Sequence, residues 1–360
     1  MNHLLKKPTV KEKIQSISPI VDQFSRTISY LRLSLTDRCN LRCMYCMPSE
    51  DQDVEKHVKT GDFLQHSDLL TYEELLRVVR LTVSLGMNKL RLTGGEPLVR
   101  KGVVQFIEEL SRIEGLDQIR LTTNGVLLKE YAEDLYRSGV RYINVSLDTL
   151  DPDKFKKITG RDRFRQVWAG LQKALDLGFK IKINVVAMKG VNDDEFVDFG
   201  RLALEYPFHV RFIEFMPVGG KNSWQKDRFI RGEDIRTMIS TLGSLQPFAI
   251  QHGAGPARMY DLVTPDGQTG AVGFISPISH HFCDKCNRLR LTSEGKLRAC
   301  LLKDEETDLK KILRGNGSDQ DIMTAVRQTI IDKPQGHSLQ NETEAEEKAR
   351  SGGTMSRIGG

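Results

Sequence analysis

The 360-residue chain has no run of about twenty apolar residues, which excludes a membrane-spanning helix and leaves no membrane role. Its opening, MNHLLKKPTVKEKIQ, has lysines but no apolar stretch of secretory length, so export is not expected and the chain reads as cytoplasmic. It also lacks a dense lysine/arginine tract or an interleaved aromatic platform, the equipment for gripping nucleic acid. The net charge of +5 suits a solvated surface as well as an anionic ligand and decides neither. Cysteine is scarce: the six residues fall as three plus three with none left over, which in a chain that is not exported favours metal over disulfides. Hydrophobic residues at 39% and charged residues at 28% describe a globular protein with a core for one large domain or two ordinary ones.

Half of the cysteine sits in thirteen residues, Thr36 to Pro48, reading TDRCNLRCMYCMP. Cys39, Cys43 and Cys46 stand in CxxxCxxC spacing, which lets three thiolates converge from one loop while Tyr45 is pushed outward. Ordinary iron-sulfur clusters take four protein thiolates, and structural zinc closes all four positions. Here the fourth has no local candidate, and an iron without a protein ligand is free to bind something else. The competing reading is a zinc or redox loop that pins the fold.

The surrounding chain alternates strand and helix. YLRLSLT places Leu31, Leu33 and Leu35 on one face and Tyr30, Arg32, Ser34 and Thr36 on the other. After a polar connection, Ser49 to Leu70, the stretch from Thr71 to Gly86 has helical spacing, a capping box of Thr71 with Glu74, and a terminal glycine. Strand NKLRLTGGEP follows. The unit recurs: helix about Gly102 to Arg112, strand IRLTTNG, helix about Leu127 to Ser138, strand YINVSLD, a helical segment to Gly178, strand KIKINVVA, helix about Asp193 to Glu205 and strand HVRFIEFM. Six such strands predict an α/β fold with a parallel sheet. Most have one apolar and one polar face, so the helices cover one side and the other lines a polar interior. An incomplete barrel of TIM type, with about six βα units, fits better than a filled eight-stranded one. Function in such barrels gathers at the C-terminal strand ends, where the cysteine loop and Thr93 to Pro97, TGGEP, both lie. Gly94 and Gly95 allow close backbone approach to a ligand, and Glu96 offers a carboxylate there.

Beyond Met216 the pattern changes. VGGKNSW reads as a loop, GEDIRTMISTLG as a short helix, and Gly255 to Leu302 as short strands and turns around SHHFCDKCNRLRLTSEGKLRACL. Cys283 and Cys286 form CxxC and Cys300 follows after thirteen intervening residues; zinc and an iron-sulfur cluster suit this equally, and His280 or His281 would complete a Cys3His zinc knuckle. Against the knuckle, Arg288 and Arg290 point the same way in strand alternation, two donor forks suited to phosphate. Arg32, Lys89, Arg91 and Lys182 also fall on polar strand faces, where isolated cations are costly without an anion. Asp148 is the inward acid that would compete for them, and such acids are too few. Glu305 to Lys333 reads as helical and GHSLQNETEAEEKARSGGT as a polar, acidic tail ending in Gly359-Gly360. The domain reading is a lead-in over 1–29, the barrel over 30–216, a C-terminal layer over 217–333 and the tail over 334–360.

With CxxxCxxC, GGEP, FCDKCNRLRL and the later Cys300, the chain resembles the GTP 3′,8-cyclase family of radical S-adenosylmethionine (SAM) enzymes, over roughly Phe24 to Leu302 plus Gly359-Gly360. The resemblance implies a partial barrel whose open side is closed by a C-terminal layer bearing a second 4Fe-4S cluster. It implies a first cluster on Cys39, Cys43 and Cys46 with SAM at its open iron, and Tyr45, Gly95, Ser146 and Met216 at SAM-contacting positions. The second cluster, on Cys283, Cys286 and Cys300, would bind guanine. Arg32, Arg91, Thr122, Lys182, Arg288, Leu289 and Arg290 match GTP-contacting positions, joined by Lys89 and Arg211, and Gly359 and Gly360 would reach the active site.

The implied reaction converts GTP to (8S)-3′,8-cyclo-7,8-dihydroguanosine 5′-triphosphate, the first step of molybdenum cofactor biosynthesis. The implied partners are an electron donor, the next enzyme, cyclic pyranopterin monophosphate synthase, and a second copy in a homodimer. Leu41 stands where the family often has an aromatic, and the acidic stretch before the tail is longer than expected. The alternatives are a radical-SAM enzyme with an auxiliary cluster acting on a peptide, and a zinc-stabilised nucleic-acid-binding module.

Overall fold

The computed structural model describes residues 20–46, 63–218, 225–248, 255–337 and 355–359. The predicted alternation is present: β1 (Tyr30–Ser34), α1 (Tyr72–Ser84), β2 (Lys89–Thr93), α2 (Val103–Ser111), β3 (Gln118–Thr123), α3 (Leu128–Arg137), β4 (Tyr142–Ser146), α4 (Pro152–Thr159), α5 (Phe164–Asp176), β5 (Lys180–Ala187), α6 (Phe196–Glu205) and β6 (His209–Glu214). Adjacent strands from β1 to β6 pair in parallel. Thr71 and Glu74 form the expected capping box, each side chain bonding the other's main-chain N–H. The helical segment before Gly178 divides into α4 and α5 because Gly160 ends α4 at a left-handed φ of 66°.

The leucines of the alternating strands all face the helices. Leu31, Leu33, Leu90, Leu92 and Leu121 are buried with Val78 and Val79 of α1 and Phe106 and Ile107 of α2 in one continuous core. This burial drives the sheet together and fixes its register, since a slip of one residue would turn the arginines into that core. The polar connection is anchored at its described end: Leu69 and Leu70 are buried, the Leu70 N–H donates to the Ser293 carbonyl at 3.0 Å, and Arg100 donates to the Leu70 carbonyl at 2.6 Å.

The C-terminal half comprises α7 (Gly232–Ile239), β7 (Ser244–Pro247), β8 (Arg258–Val263), β9 (Thr269–Ile275), β10 (Arg288–Leu291), β11 (Lys296–Arg298), β12 (Thr307–Asp308), α8 (Leu309–Arg314), α9 (Asp319–Ile331) and α10 (Met355–Ile358). It does not stand apart as a separate layer. β10 pairs in parallel with β1 and β9 with β6, giving one twelve-stranded sheet in the order β12-β11-β10-β1-β2-β3-β4-β5-β6-β9-β8-β7. The sequence between β10 and β1 is irrelevant to their pairing; what matches is alternation, Leu289 and Leu291 lying beside Leu31 and Leu33. The lead-in also folds back, as Val21 bridges Thr27 and Arg26 reaches the C-terminal half. Expectations for VGGKNSW, most of the acidic tail, most of the lead-in and Gly360 lie wholly or largely outside the described residues. Among the described residues no helix is long and apolar enough to cross a membrane.

Candidate functional site

The first cysteine loop leaves the C-terminal end of β1 and is braced by the loop after β2. The Gly95 N–H donates to the Thr36 carbonyl at 2.6 Å and the Glu96 N–H to the Arg38 carbonyl at 2.8 Å. The two glycines make that contact fit: a Cβ at Gly94 would stand 2.4 Å from the Thr36 oxygen, and one at Gly95 2.2 Å from the Arg38 oxygen. Their close approach is therefore to the cysteine loop itself. Glu96 differs from expectation too. Its carboxylate is fully buried and accepts from the Leu98 N–H, the Thr123 hydroxyl and the Asn124 N–H, so it ties three segments together. Burial outweighs those hydrogen bonds and lifts it to about 7.

Cys39, Cys43 and Cys46 are free and half-buried. The Leu41 N–H and the Asn124 amide donate to the Cys39 sulfur at 3.4 and 3.5 Å, and the Ser356 main chain hydrogen-bonds the Cys46 sulfur. Burial pushes the Cys39 thiol up to about 11 and Cys46 up to about 12, and raises Cys43 well above the ordinary thiol value. Cys39 and Cys46 are supplied with N–H donors, and all three sulfurs are too buried to ionise alone, which suits a multivalent cationic centre that removes the protons on binding. The loop fits an iron-sulfur cluster on that chemistry. Tyr45 is not turned outward: its hydroxyl donates to Asp148 Oδ2 at 2.7 Å and lies beside the Cys43 thiol.

The polar face of the sheet carries cations in register. Arg290, Arg32, Arg91 and Arg120 occupy one row across β10, β1, β2 and β3, at strand spacings of about 4.8 Å. Arg288, Tyr30 and Lys89 form the polar row before it, and Thr122, Asn144 and Lys182 the polar row after it on β3 to β5. Arg91 donates to the Tyr30 hydroxyl at 2.6 Å and to Leu121 O and Thr122 Oγ1 at 3.0 and 3.2 Å; Arg211 donates to Asn184. Asp148, the acid that could have neutralised them, is taken by Tyr45 and the Val186 N–H. Among the described residues no carboxylate pairs with Lys89, Arg91, Lys182, Arg211 or Arg290. Burial and neighbouring guanidiniums hold Lys182 down to about 7, Arg211 to about 9 and Arg290 to about 10, and push Arg32 well down. A polyanion relieves all of these at once.

The second triad lies at the opposite end of the strands, not at the C-terminal ends. Cys283 and Cys286 precede β10, and Cys300 follows the antiparallel β11. Lys333 is buried between them, donating to the Arg288 and Ala299 carbonyls. Burial pushes the Cys286 thiol up, but Arg288 and Lys333 outweigh it and bring it to about 6. His280 faces Glu233 at 3.3 Å, whereas His281 stacks on His337 with ring centroids 4.2 Å apart.

Ser146 ends β4, while Gly95 and Met216 follow β2 and β6, so all three stand at the end that carries the first loop. Leu289 does not join the arginines: its side chain is fully buried in the apolar core on the opposite face, leaving only its main chain within reach. The described part of the tail is docked. Ile358 packs with Val218 and Leu302 beside Met216 and Cys300, and Arg290 donates to the Gly359 carbonyl at 2.8 Å. The sequence pattern did not single out Arg120, although its place on the polar face of IRLTTNG signals it, nor Lys333 and Arg26, for which no local pattern exists.

Residues 33–203 match the Radical SAM superfamily and residues 208–339 match Molybdenum Cofactor Synthesis C. Among solved structures, SuiB of Streptococcus suis bound to S-adenosylmethionine shares the fold, with a TM-score of 0.56 at 16% identity over 85% of this chain and 69% of that one. Fold and loop together define a radical SAM protein of mixed α/β architecture. The chain is 48% identical to the GTP 3′,8-cyclase of Thermodesulfovibrio yellowstonii over 88% of its own length and 95% of the relative's. It is 47% identical to that of Syntrophomonas wolfei, over 95% and 100%. The chain belongs to the GTP 3′,8-cyclase family.

Proposed function

We propose that the polar interior of the sheet is a GTP site held between two three-thiolate 4Fe-4S clusters in a partial barrel, with residues 30–216 forming the barrel and 217–333 completing it. The enzyme is a radical-SAM GTP 3′,8-cyclase acting at the first step of molybdenum cofactor biosynthesis. The observation that carries the site is the row Arg290, Arg32, Arg91, set between cysteine triads at opposite strand ends.

Cys39, Cys43 and Cys46 would hold the first cluster, with Tyr45, Gly95, Ser146 and Met216 around SAM. When bound, that pair of cofactors supplies the one-electron chemistry that removes hydrogen from the ribose 3′ carbon. This chain's own residues bind and orient. Arg32, Lys89, Arg91, Thr122, Lys182, Arg211, Arg288 and Arg290 hold the triphosphate and sugar, the charge-assisted bonds to phosphate being the strong ones. Cys283, Cys286 and Cys300 would hold the second cluster against the guanine, with Lys333 bracing two of the ligand-bearing segments. The tail, through Gly359, covers the site and excludes water, and Gly360 would act beside it. This reading brings with it an external electron donor, delivery of product to cyclic pyranopterin monophosphate synthase, a cytoplasmic setting and a homodimer.

Iron and sulfide are counted after anaerobic reconstitution of the native chain and of the Cys283→Ala, Cys286→Ala, Cys300→Ala variant. About eight irons falling to about four is the expected result, with GTP consumed by the native chain in the presence of SAM. Four irons in both, with zinc lost from the variant, would make the second triad structural.

A further inference from the structure

Cys283 has a second set of neighbours besides its own triad. A ring nitrogen of His281, the Cys283 sulfur and a ring nitrogen of His337 all lie within 4.8 Å of one another. We propose that His281, Cys283 and His337 form a site for one divalent metal ion of the zinc class, which shares Cys283 with the cysteine triad.

The three donors come from two segments far apart in sequence, and a third segment fixes them. The guanidinium of buried Arg26 donates to the Cys283 carbonyl at 2.8 Å, the Gln335 carbonyl at 2.9 Å and the Pro334 carbonyl at 2.7 Å, while its Nε is paired with the buried Asp22 carboxylate at 2.6 Å. One planar fork thus holds the turn that carries Cys283 against the loop that carries His337. The contact is closed further by a hydrogen bond from the His337 main chain to the Cys283 sulfur and by Gly336, where a Cβ would stand 3.8 Å from that sulfur. The imidazole rings stack at 30°. One thiolate and two imidazoles with a fourth position left for water are a donor set that zinc takes at sulfur distances of about 2.3 Å and nitrogen distances of about 2.0 Å. His281 is exposed, so an ion reaches the site from solvent. Binding displaces the Cys283 thiol proton to solvent and changes no oxidation state.

Because one sulfur is common to both sets, zinc at His281, Cys283 and His337 leaves the triad one terminal ligand short. The site therefore competes with iron-sulfur loading at the second triad and leaves the first untouched. With the triad empty the metal site stands on its own donors; only the competition rests on the reading given above.

The test uses the full chain carrying Cys39→Ala, Cys43→Ala and Cys46→Ala, prepared metal-free under anaerobic conditions and titrated with zinc alone against a chromophoric chelator. Cobalt(II) serves as a second probe whose sulfur-to-metal absorption counts thiolates. The expected result is one zinc per chain and a one-thiolate cobalt spectrum. Both are retained in Cys286→Ala and Cys300→Ala and lost in Cys283→Ala and His337→Ala. Zinc added first blocks iron uptake at the second triad, and His337→Ala restores that uptake, which also shows that this variant folds. Zinc kept by His337→Ala but lost from Cys286→Ala or Cys300→Ala overturns the proposal in favour of zinc on the cysteine triad, and so does the absence of stoichiometric zinc. If iron never enters the second triad while zinc follows the expected pattern, the cluster reading fails and the metal site stands.

Discussion

Arg290 on β10 donates to the main-chain carbonyl of Gly359, 69 residues further along, at 2.8 Å. The same glycine has a left-handed φ of 77°, and a Cβ there would stand 2.7 Å from Thr93 Cγ2 and 3.3 Å from Ser34 Cβ. The tail is thus held by a cation of the row on the polar face of the sheet, and it passes where no side chain fits.

Gly359→Ala is expected to release the tail. The left-handed backbone costs about 1–3 kcal/mol for a residue with a side chain, and the clash with Thr93 adds to it. Limited proteolysis should cut the segment before Met355 faster in the variant, with iron content unchanged and turnover of GTP strongly reduced.

Gly95→Ala acts at a different place. Its methyl would overlap the Arg38 and Asp37 carbonyl oxygens, at 2.2 and 2.7 Å, and so push the loop after β2 away from the first cysteine loop. We expect a loss of about 1–3 kcal/mol in denaturant unfolding. Iron bound at the first triad should fall, while iron at the second triad stays constant when counted in a Cys39→Ala, Cys43→Ala, Cys46→Ala background.

Lys182 carries a pH signature. Burial first, then Arg211, Arg120 and Arg91, lower its ammonium to about 7. Below pH 7 it is charged and attracts triphosphate; as pH rises through 7 the charge is lost. GTP affinity should fall up to about tenfold between pH 6 and 8, with proton uptake on binding seen by calorimetry in two buffers. The γ-phosphate titrates in the same range, so the comparison with Lys182→Gln isolates the lysine's share. For stability the sign is opposite: between about 7 and the ordinary lysine value the unfolded chain holds the extra proton, so raising pH across that window stabilises the native fold.

Arg26→Ala removes one fork that serves three carbonyls and one buried carboxylate. Breaking a buried pair from one side costs about 3–5 kcal/mol. Asp22→Asn with Arg26→Ala should recover part of that loss, since the carboxylate no longer lies buried without a partner. Thermal or denaturant melts of the two variants check both statements.

What was legible in the sequence followed from local rules. Alternation marked β1 to β6, Thr71 and Glu74 marked a helix start, and two cysteine spacings marked two groups of three thiols. Polar strand faces also revealed Arg32, Lys89, Arg91 and Lys182, because period two is a property of the chain alone. The rest is decided by neighbours distant in sequence. Nothing around Arg288 says that its strand lies beside Tyr30, so the location of the second triad at the opposite strand end stayed hidden. Glycines in GGEP read as room for a ligand, whereas the room is filled by Arg38 and Asp37. Glu96 read as an offered carboxylate because its three buried donors are spread over residues 98, 123 and 124. Leu289 was grouped with its neighbouring arginines although alternation already turns it to the other face.

The pairing of β10 with β1 joins the first strand of the sheet to residues some 258 positions later. During synthesis the first cysteine loop, β1 and β2 are available long before Arg288 and Arg290 leave the ribosome. The row of cations across β10, β1 and β2 therefore comes into being only at the end, when a loop of that length has been closed, a step that slows folding. A half-made chain holds a metal-binding loop with no substrate pocket beside it, so an early cluster would have nothing to act on.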